Sequence, residues 1–240
     1  MNDSFQPLLV HLLELRNRLI RTLLVFLAGF ALSFFFSSQL YNFLVAPLAA
    51  VVPGGKLITI GVVSPFFLQM KIAALAGFLL TLPHTLYQLW AFVAPGLYTH
   101  EKRLVMPLIA SSTLLFFIGM AFAYFFVFGV VFAFMARVVP SSMQWLPDSG
   151  EYLDFAIGMF ISFGMTFETP VAVVVLVRMG IVSLEKLVSF RSYAIVGAFV
   201  VAAVITPPDV LSQLMLAIPL WLLYEVGLLA ARWTPPAVSE

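Results

Sequence analysis

The 240-residue chain has no cysteine. That absence excludes disulfides, thiolate nucleophiles and Cys-ligated metals. Charge is scarce as well: Asp, Glu, Lys and Arg make up 10% of the residues and leave a net charge of +1. A soluble domain of this length presents a surface that needs far more charge. Lys and Arg are scattered with no basic tract, so no nucleic-acid partner is expected. His11, His84 and His100 are the only histidines and show no ligand spacing, so no metal site is expected. No Gly-rich phosphate motif is present, and neither ATP use nor a cofactor is expected of this chain.

What the chain does have is apolar length. It is 62% hydrophobic, with a mean hydropathy of +1.09. The bilayer is therefore the solvent for most of it, and spanning backbone must be helix or closed barrel. The apolar runs are long and lack period-2 alternation, which selects helices. Six spans fit, at about 20–38, 67–93, 105–135, 152–177, 193–206 and 210–231. They make one transmembrane domain over 1–240, with no room for a second, soluble domain. No small-residue cleavage pattern follows the first run, so it reads as a retained span.

Loop charge sets the expected orientation. With the N-terminus in the cytoplasm, that side holds Arg16, Arg18, Arg21, Lys102, Arg103, Arg178, Lys186, Arg191 and Arg232. The opposite side holds only Lys56, Lys71 and Arg137. The positive-inside rule then places both termini in the cytoplasm. The fifth span, between Arg191 and Pro207-Pro208, is short: about 14 residues at a 1.5 Å rise cover about 21 Å of a core about 30 Å thick. Pro219 is expected to kink or shorten the sixth. The longest external segment, 39–66, carries Pro47, Pro53, Gly54, Gly55 and Pro65. Within it LYNFLVAPLAAVV reads as an apolar surface helix and KLITIGVV as an extended stretch. Tyr124 and the four tryptophans read mostly as interfacial aromatics.

The candidate chemistry lies in a few acids. In PLLVHLLELRNRLIR, Leu8, Leu12, Leu15 and Leu19 form one helical stripe, and His11, Glu14, Arg18 and Arg21 form a polar one beside it. Glu14 and Arg18 are four residues apart, so a simple intrahelical pair is the plain alternative to a binding role. Glu101 sits beside His100, Lys102 and Arg103, where an acid in the first turn of a helix also suits the macrodipole. Glu168 lies inside the fourth run. An acid at such depth costs about 2.5–3.5 kcal/mol on insertion scales. It must face protein or water, either as a functional group or as a protonated or hydrogen-bonded helix–helix contact.

The blocks HLLELRNRL, SPFFLQMK, LYQLWAFVAPGLYTHEKR, GMAFAYFFVF, FGMTFETPV and VGAFVVAAVITPPDVLSQLMLAIPLWLLYEVG closely resemble the TatC family, the polytopic subunit of the twin-arginine protein translocase. The likeness runs in order over nearly the whole chain. It implies a receptor in the bacterial inner membrane for Arg-Arg signal peptides of folded proteins, driven by the proton-motive force, and not an enzyme. It also implies a concave helical arrangement capped by the external loops. Carried over, Glu14 and Glu101 are the carboxylates that meet the arginines, and Arg16 and Phe92 belong to the same cytoplasmic site. Pro47 and Asp209 match external positions, and Glu168 matches a buried membrane acid. The expected partners are the single-span subunits TatA and TatB, within a homo-oligomeric complex.

The chemistry suits that reading. A guanidinium forks onto a carboxylate through two hydrogen bonds, and lysine cannot. Glu168, with Gln88 and Gln213, is expected to line a hydrated pocket that receives a polar group of a partner helix; both glutamines equally suit helix–helix hydrogen bonds. The alternative function is an ion-coupled secondary transporter. That reading calls for several intramembrane ionisable groups and an internal repeat, neither of which the sequence contains.

Overall fold

The computed structural model describes residues 5–93, 105–140, 142–206 and 209–233. Glu101 and its neighbours in the first internal loop, and Pro207-Pro208, lie outside these residues. The helices are α1 (Phe5–Phe34), α2 (Ser37–Ala49), α3 (Ser64–Val93), α4 (Val105–Phe122), α5 (Phe128–Val138), α6 (Ser149–Phe167), α7 (Thr169–Arg178), α8 (Leu184–Ser189), α9 (Arg191–Ile205) and α10 (Val210–Trp233). A π turn over Ala123–Val127 joins α4 to α5. Among the described residues the only β pairing is one parallel bridge, Ile58 to Asp148.

Among the described residues, five helical stretches are long and apolar enough to cross a bilayer: His11–Phe34, Ser64–Phe92, Met106–Val138, Ser149–Arg178 and Val210–Trp233. The sixth apolar helix, α9, has 15 residues and is about 22 Å long. The expected short fifth span is therefore present. The sixth helix is not short: α10 runs 24 residues straight through Pro219. The first span also differs from 20–38, because α1 starts at Phe5 and absorbs the amphipathic segment into one 30-residue helix. No helix breaker separates the two parts.

The chain divides into two compact units. The first comprises Met1–Ser38 and Gln69–Thr113. In it α1 and α3 meet backbone to backbone. A Cβ on Gly77 would stand 2.6 Å from the nitrogen and 2.7 Å from the Cα of Phe30, and one on Gly29 would stand 3.1 Å from the Gly77 carbonyl oxygen. Small residues of this kind permit the close helix crossings that membrane packing depends on.

The second unit comprises Gln39–Leu68 and Leu114–Glu240. Its α2 is more than a surface helix, because Leu44, Val45 and Leu48 are buried. Pro47 lies inside it and removes the N–H that the Phe43 carbonyl, four residues back, would accept. The Tyr124 hydroxyl donates to that carbonyl instead, at 2.6 Å, and the Tyr152 hydroxyl donates to the next one, of Leu44. Tyr124 is thus a mid-helix donor on the π turn and not a belt residue. One added residue in the turn shifts the following helix face by about 100°.

The segment between α2 and α3 is tied to the start of α6. Asp148 caps α6 by accepting the N–H groups of Gly150 (2.8 Å) and Glu151 (3.1 Å) through Oδ1. Its Oδ2 accepts the N–H of Ile60 at 2.9 Å. Ser149 N–H donates to the Ile58 carbonyl at 2.8 Å, and Ile58 N–H to the Pro147 carbonyl at 3.1 Å. The expected extended stretch is limited to this bridge.

Farther along, α7 and α10 pack through Val173, Val177, Leu228 and Ala231. The Tyr224 hydroxyl donates to the Leu187 carbonyl at 2.7 Å. Arg191 at the head of α9 pairs with Glu225 on α10 at 2.7 Å. These contacts hold the short helix α9 alongside α10.

Candidate functional site

The α1–α3 crossing brings together two sets of side chains that are far apart in sequence. The His11 ring stacks on Phe92, with centroids 4.3 Å apart and planes 17° from parallel. Farther along α1, Arg18 donates to Glu14 Oε1 from Nε at 2.9 Å and from Nη2 at 2.6 Å. The same guanidinium donates from Nη1 to Gln88 Oε1 at 3.1 Å. Gln88 is 6% exposed, and its amide nitrogen lies 3.3 Å from His84 Nε2. A guanidinium only donates, so the amide turns its oxygen toward Arg18 and its nitrogen toward His84.

The helix is inside-out by the standards of a water-soluble protein. Leu12, Leu15 and Leu19 of the apolar stripe are exposed, whereas the side chains of Glu14 and Arg18 are 35% and 22% exposed. Lipid is the physical reason: leucine gains nothing by leaving it, while a charge must find protein or water. The apolar stripe turns outward, and the polar stripe meets the glutamine and aromatic of α3.

This local arrangement leaves the two Glu14 oxygens unequal. Oε1 carries both Arg18 contacts. Oε2 has no hydrogen bond among the described residues, and the Nδ1 of the His11 ring lies 4.0 Å from it. A carboxylate with one oxygen engaged and the other without a hydrogen bond among the described residues keeps acceptor capacity for a guanidinium. Arg16 is exposed and donates to the side chain of its neighbour Asn17 at 3.2 Å. Glu101 lies outside the described residues.

The remaining candidates fall in the second unit, apart from Gln88. Glu168 is half-buried at the break between α6 and α7. Pro170 supplies no N–H, and the Thr169 hydroxyl donates to the Thr166 carbonyl at 2.7 Å. The sequence signal for this break is Thr169-Pro170, next to the acid. Beside it lies a cavity of about 570 Å³ lined by Phe122, Phe167, Leu211, Met215, Pro219 and other apolar side chains. None of its lining residues is polar, and Glu168, Gln88 and Gln213 are not among them. Gln213 donates to the Phe199 carbonyl on α9 at 3.2 Å, a helix–helix bond. Asp209 caps α10 by accepting the Ser212 N–H at 2.7 Å. Pro47 acts through the Phe43 carbonyl of α2 that it frees. Sequence reasoning does not single out the hydrogen-bonding roles of Tyr124, Tyr152 and Asp148. A helix-interior proline with a tyrosine-bearing neighbouring span is the available signal for the first two.

Residues 10–219 match the family described as Sec-independent protein translocase protein (TatC). The chain is 47% identical over 232 residues to the Sec-independent protein translocase protein TatC of Escherichia coli K12, covering 96% of this chain and 90% of that one. It is 45% identical to the Haemophilus influenzae protein of the same name, covering 99% and 93%. With the Halothiobacillus neapolitanus protein of that name it shares 51% identity over 224 residues and spans 61% of that protein's length. A crystal structure of the twin-arginine translocase receptor TatC superposes with a TM-score of 0.80 at 39% identity, covering 93% of this chain and 98% of that one.

Proposed function

The chain belongs to the TatC family, and from that premise we propose that it is the receptor for twin-arginine signal peptides in a Sec-independent translocase of the bacterial cytoplasmic membrane. Glu14 on α1 and Glu101 in the first internal loop each take one arginine of the pair, and Phe92 packs against an apolar residue of the peptide. Arg16 belongs to the same surface. Both termini face the cytoplasm, where the basic loop residues cluster. The chain binds and positions its cargo and catalyses no covalent step. Single-span subunits of the TatA and TatB type dock against the short helix α9 and the polar groups near it, among them Gln213. Copies of the chain assemble in one complex, and export draws on the proton-motive force.

The observation that carries this reading is the half-engaged Glu14 carboxylate beside the His11–Phe92 stack. Two helices present an acid and an aromatic within one surface, in a chain with few charges anywhere. Consecutive side chains of an extended peptide point to opposite sides, so two arginines suit two acids on separate elements.

The test is a binding titration of detergent-solubilised chain with a labelled signal peptide carrying Arg-Arg or Lys-Lys. Arg-Arg binds more tightly, and Glu14→Gln weakens it by about 10-fold or more, the scale of one charge-assisted hydrogen bond. Folded Glu101→Ala that still separates Arg-Arg from Lys-Lys as the parent does refutes the two-acid clamp.

A further inference from the structure

Arg18 makes three hydrogen bonds, and two of them fall on the acid assigned above to the incoming peptide. The third reaches a buried amide on another helix, 70 residues away in sequence. The pairing therefore does more than stabilise one helix turn. Gln88 is buried, donates toward His84 and turns its oxygen to Arg18. This is a fixed acceptor with one guanidinium in front of it.

Resting on the receptor reading of Glu14, we propose that Arg18 is an internal guanidinium that occupies the recognition acid until a signal-peptide arginine takes its place, with Gln88 as the post onto which it withdraws. The incoming fork needs both carboxylate oxygens, and Arg18 already holds Oε1 through Nε and Nη2. Binding is an exchange of one guanidinium for another. Arg18 keeps its Nη1 bond to Gln88 while its other two donors turn to water. The displaced cation stays within the site, so Gln88 limits the loss on exchange. Arg18 thereby sets the affinity threshold for a peptide, since the bare carboxylate is populated only in the fraction of molecules with Arg18 withdrawn. Apparent affinity falls by that fraction.

The experiment measures Kd for an Arg-Arg signal peptide by fluorescence anisotropy on the full chain in detergent at fixed salt. Arg18→Gln binds about fivefold more tightly than the parent, the factor expected if the internal pair is closed in about four molecules of five. Gln88→Leu, which removes the post, binds about two- to threefold more weakly, although the buried amide touches no peptide. In a Glu14→Gln background, Arg18→Gln brings no gain. That last result separates occupancy of the acid from a general repulsion between Arg18 and a cationic peptide, which would persist without Glu14. Equal or weaker binding by folded Arg18→Gln overturns the proposal, as does the same gain in the Glu14→Gln background. If Arg18→Gln does not fold, Arg18→Lys carries the test: it keeps the charge, loses the fork and binds about twofold more tightly, and no gain there overturns the proposal equally. Unchanged binding in Glu14→Gln alone instead refutes the receptor site itself, so the two failures are distinguishable.

Discussion

The proline inside α2 yields a sharp expectation. Pro47 deprives the Phe43 carbonyl of its helix donor, and the Tyr124 hydroxyl fills the vacancy at 2.6 Å. Tyr124→Phe deletes that hydroxyl alone, because the ring stack on Phe43, with centroids 4.7 Å apart, survives in phenylalanine. The carbonyl then has no donor among the described residues. An acceptor left without its donor costs about 1–3 kcal/mol. In a chain of this size each kcal/mol lowers Tm by about 2–4 °C, so a fall of several degrees is expected in detergent. Pro47→Ala restores an N–H four residues after Phe43. In that background Tyr124→Phe should cost under about 0.5 kcal/mol, because the hydroxyl has become redundant. The double-mutant cycle then gives a coupling of about 1 kcal/mol or more between two residues joined only through one carbonyl. Equal losses from Tyr124→Phe in the parent and in the Pro47→Ala background would refute the argument and reduce Tyr124 to a packing aromatic.

Two further outcomes rest on the same kind of geometry. Gly77→Val should lower Tm by several degrees and weaken Arg-Arg peptide binding together, since its Cβ would press 2.6 Å from the Phe30 nitrogen and force apart the helices that carry Glu14 and Phe92; unchanged binding would show that the crossing does not set the site. Asp148 is held below the ordinary carboxylate value by the N–H of Ile60 first and of Glu151 next. A depressed value in the folded state means that its stabilisation is complete above the ordinary value near 3.8 and is lost as pH falls through the folded value. The Tm gap between the parent and Asp148→Asn should therefore stay constant from neutral pH down to about pH 5 and close only in stronger acid. A gap that closes near neutrality would assign the clamp to another group.

Parts of the site are legible in the chain. Glu14 and Arg18 are four apart on one helix, and their pairing is one of two readings open from spacing alone. What spacing does not reveal is that the same arginine also reaches Gln88, or that His11 stacks on Phe92, because both partners lie on another helix. Two readings of Gln88 and Gln213 are open from the sequence, a polar pocket with Glu168 or helix–helix hydrogen bonds, and each glutamine does bond a neighbouring helix within its own unit. Averaged over a whole span, Ser149–Arg178 reads as one apolar run and so hides the break at Glu168; Pro170 brings no N–H for the Thr166 carbonyl there.

Composition and run length were enough to fix the solvent, the helical class, the number of spans and the short fifth helix. Each follows from a local sum along the chain: apolar residues per 1.5 Å of rise, set against the thickness of a hydrocarbon layer. Which carbonyl takes which tyrosine, which amide meets Arg18 and which face of α1 turns inward emerge only once the helices are packed. Those choices depend on how closely two helices approach and how they are rotated about their axes. Gly29 and Gly77 fix the approach through contacts between residues 48 positions apart, and no run of neighbouring residues encodes that distance.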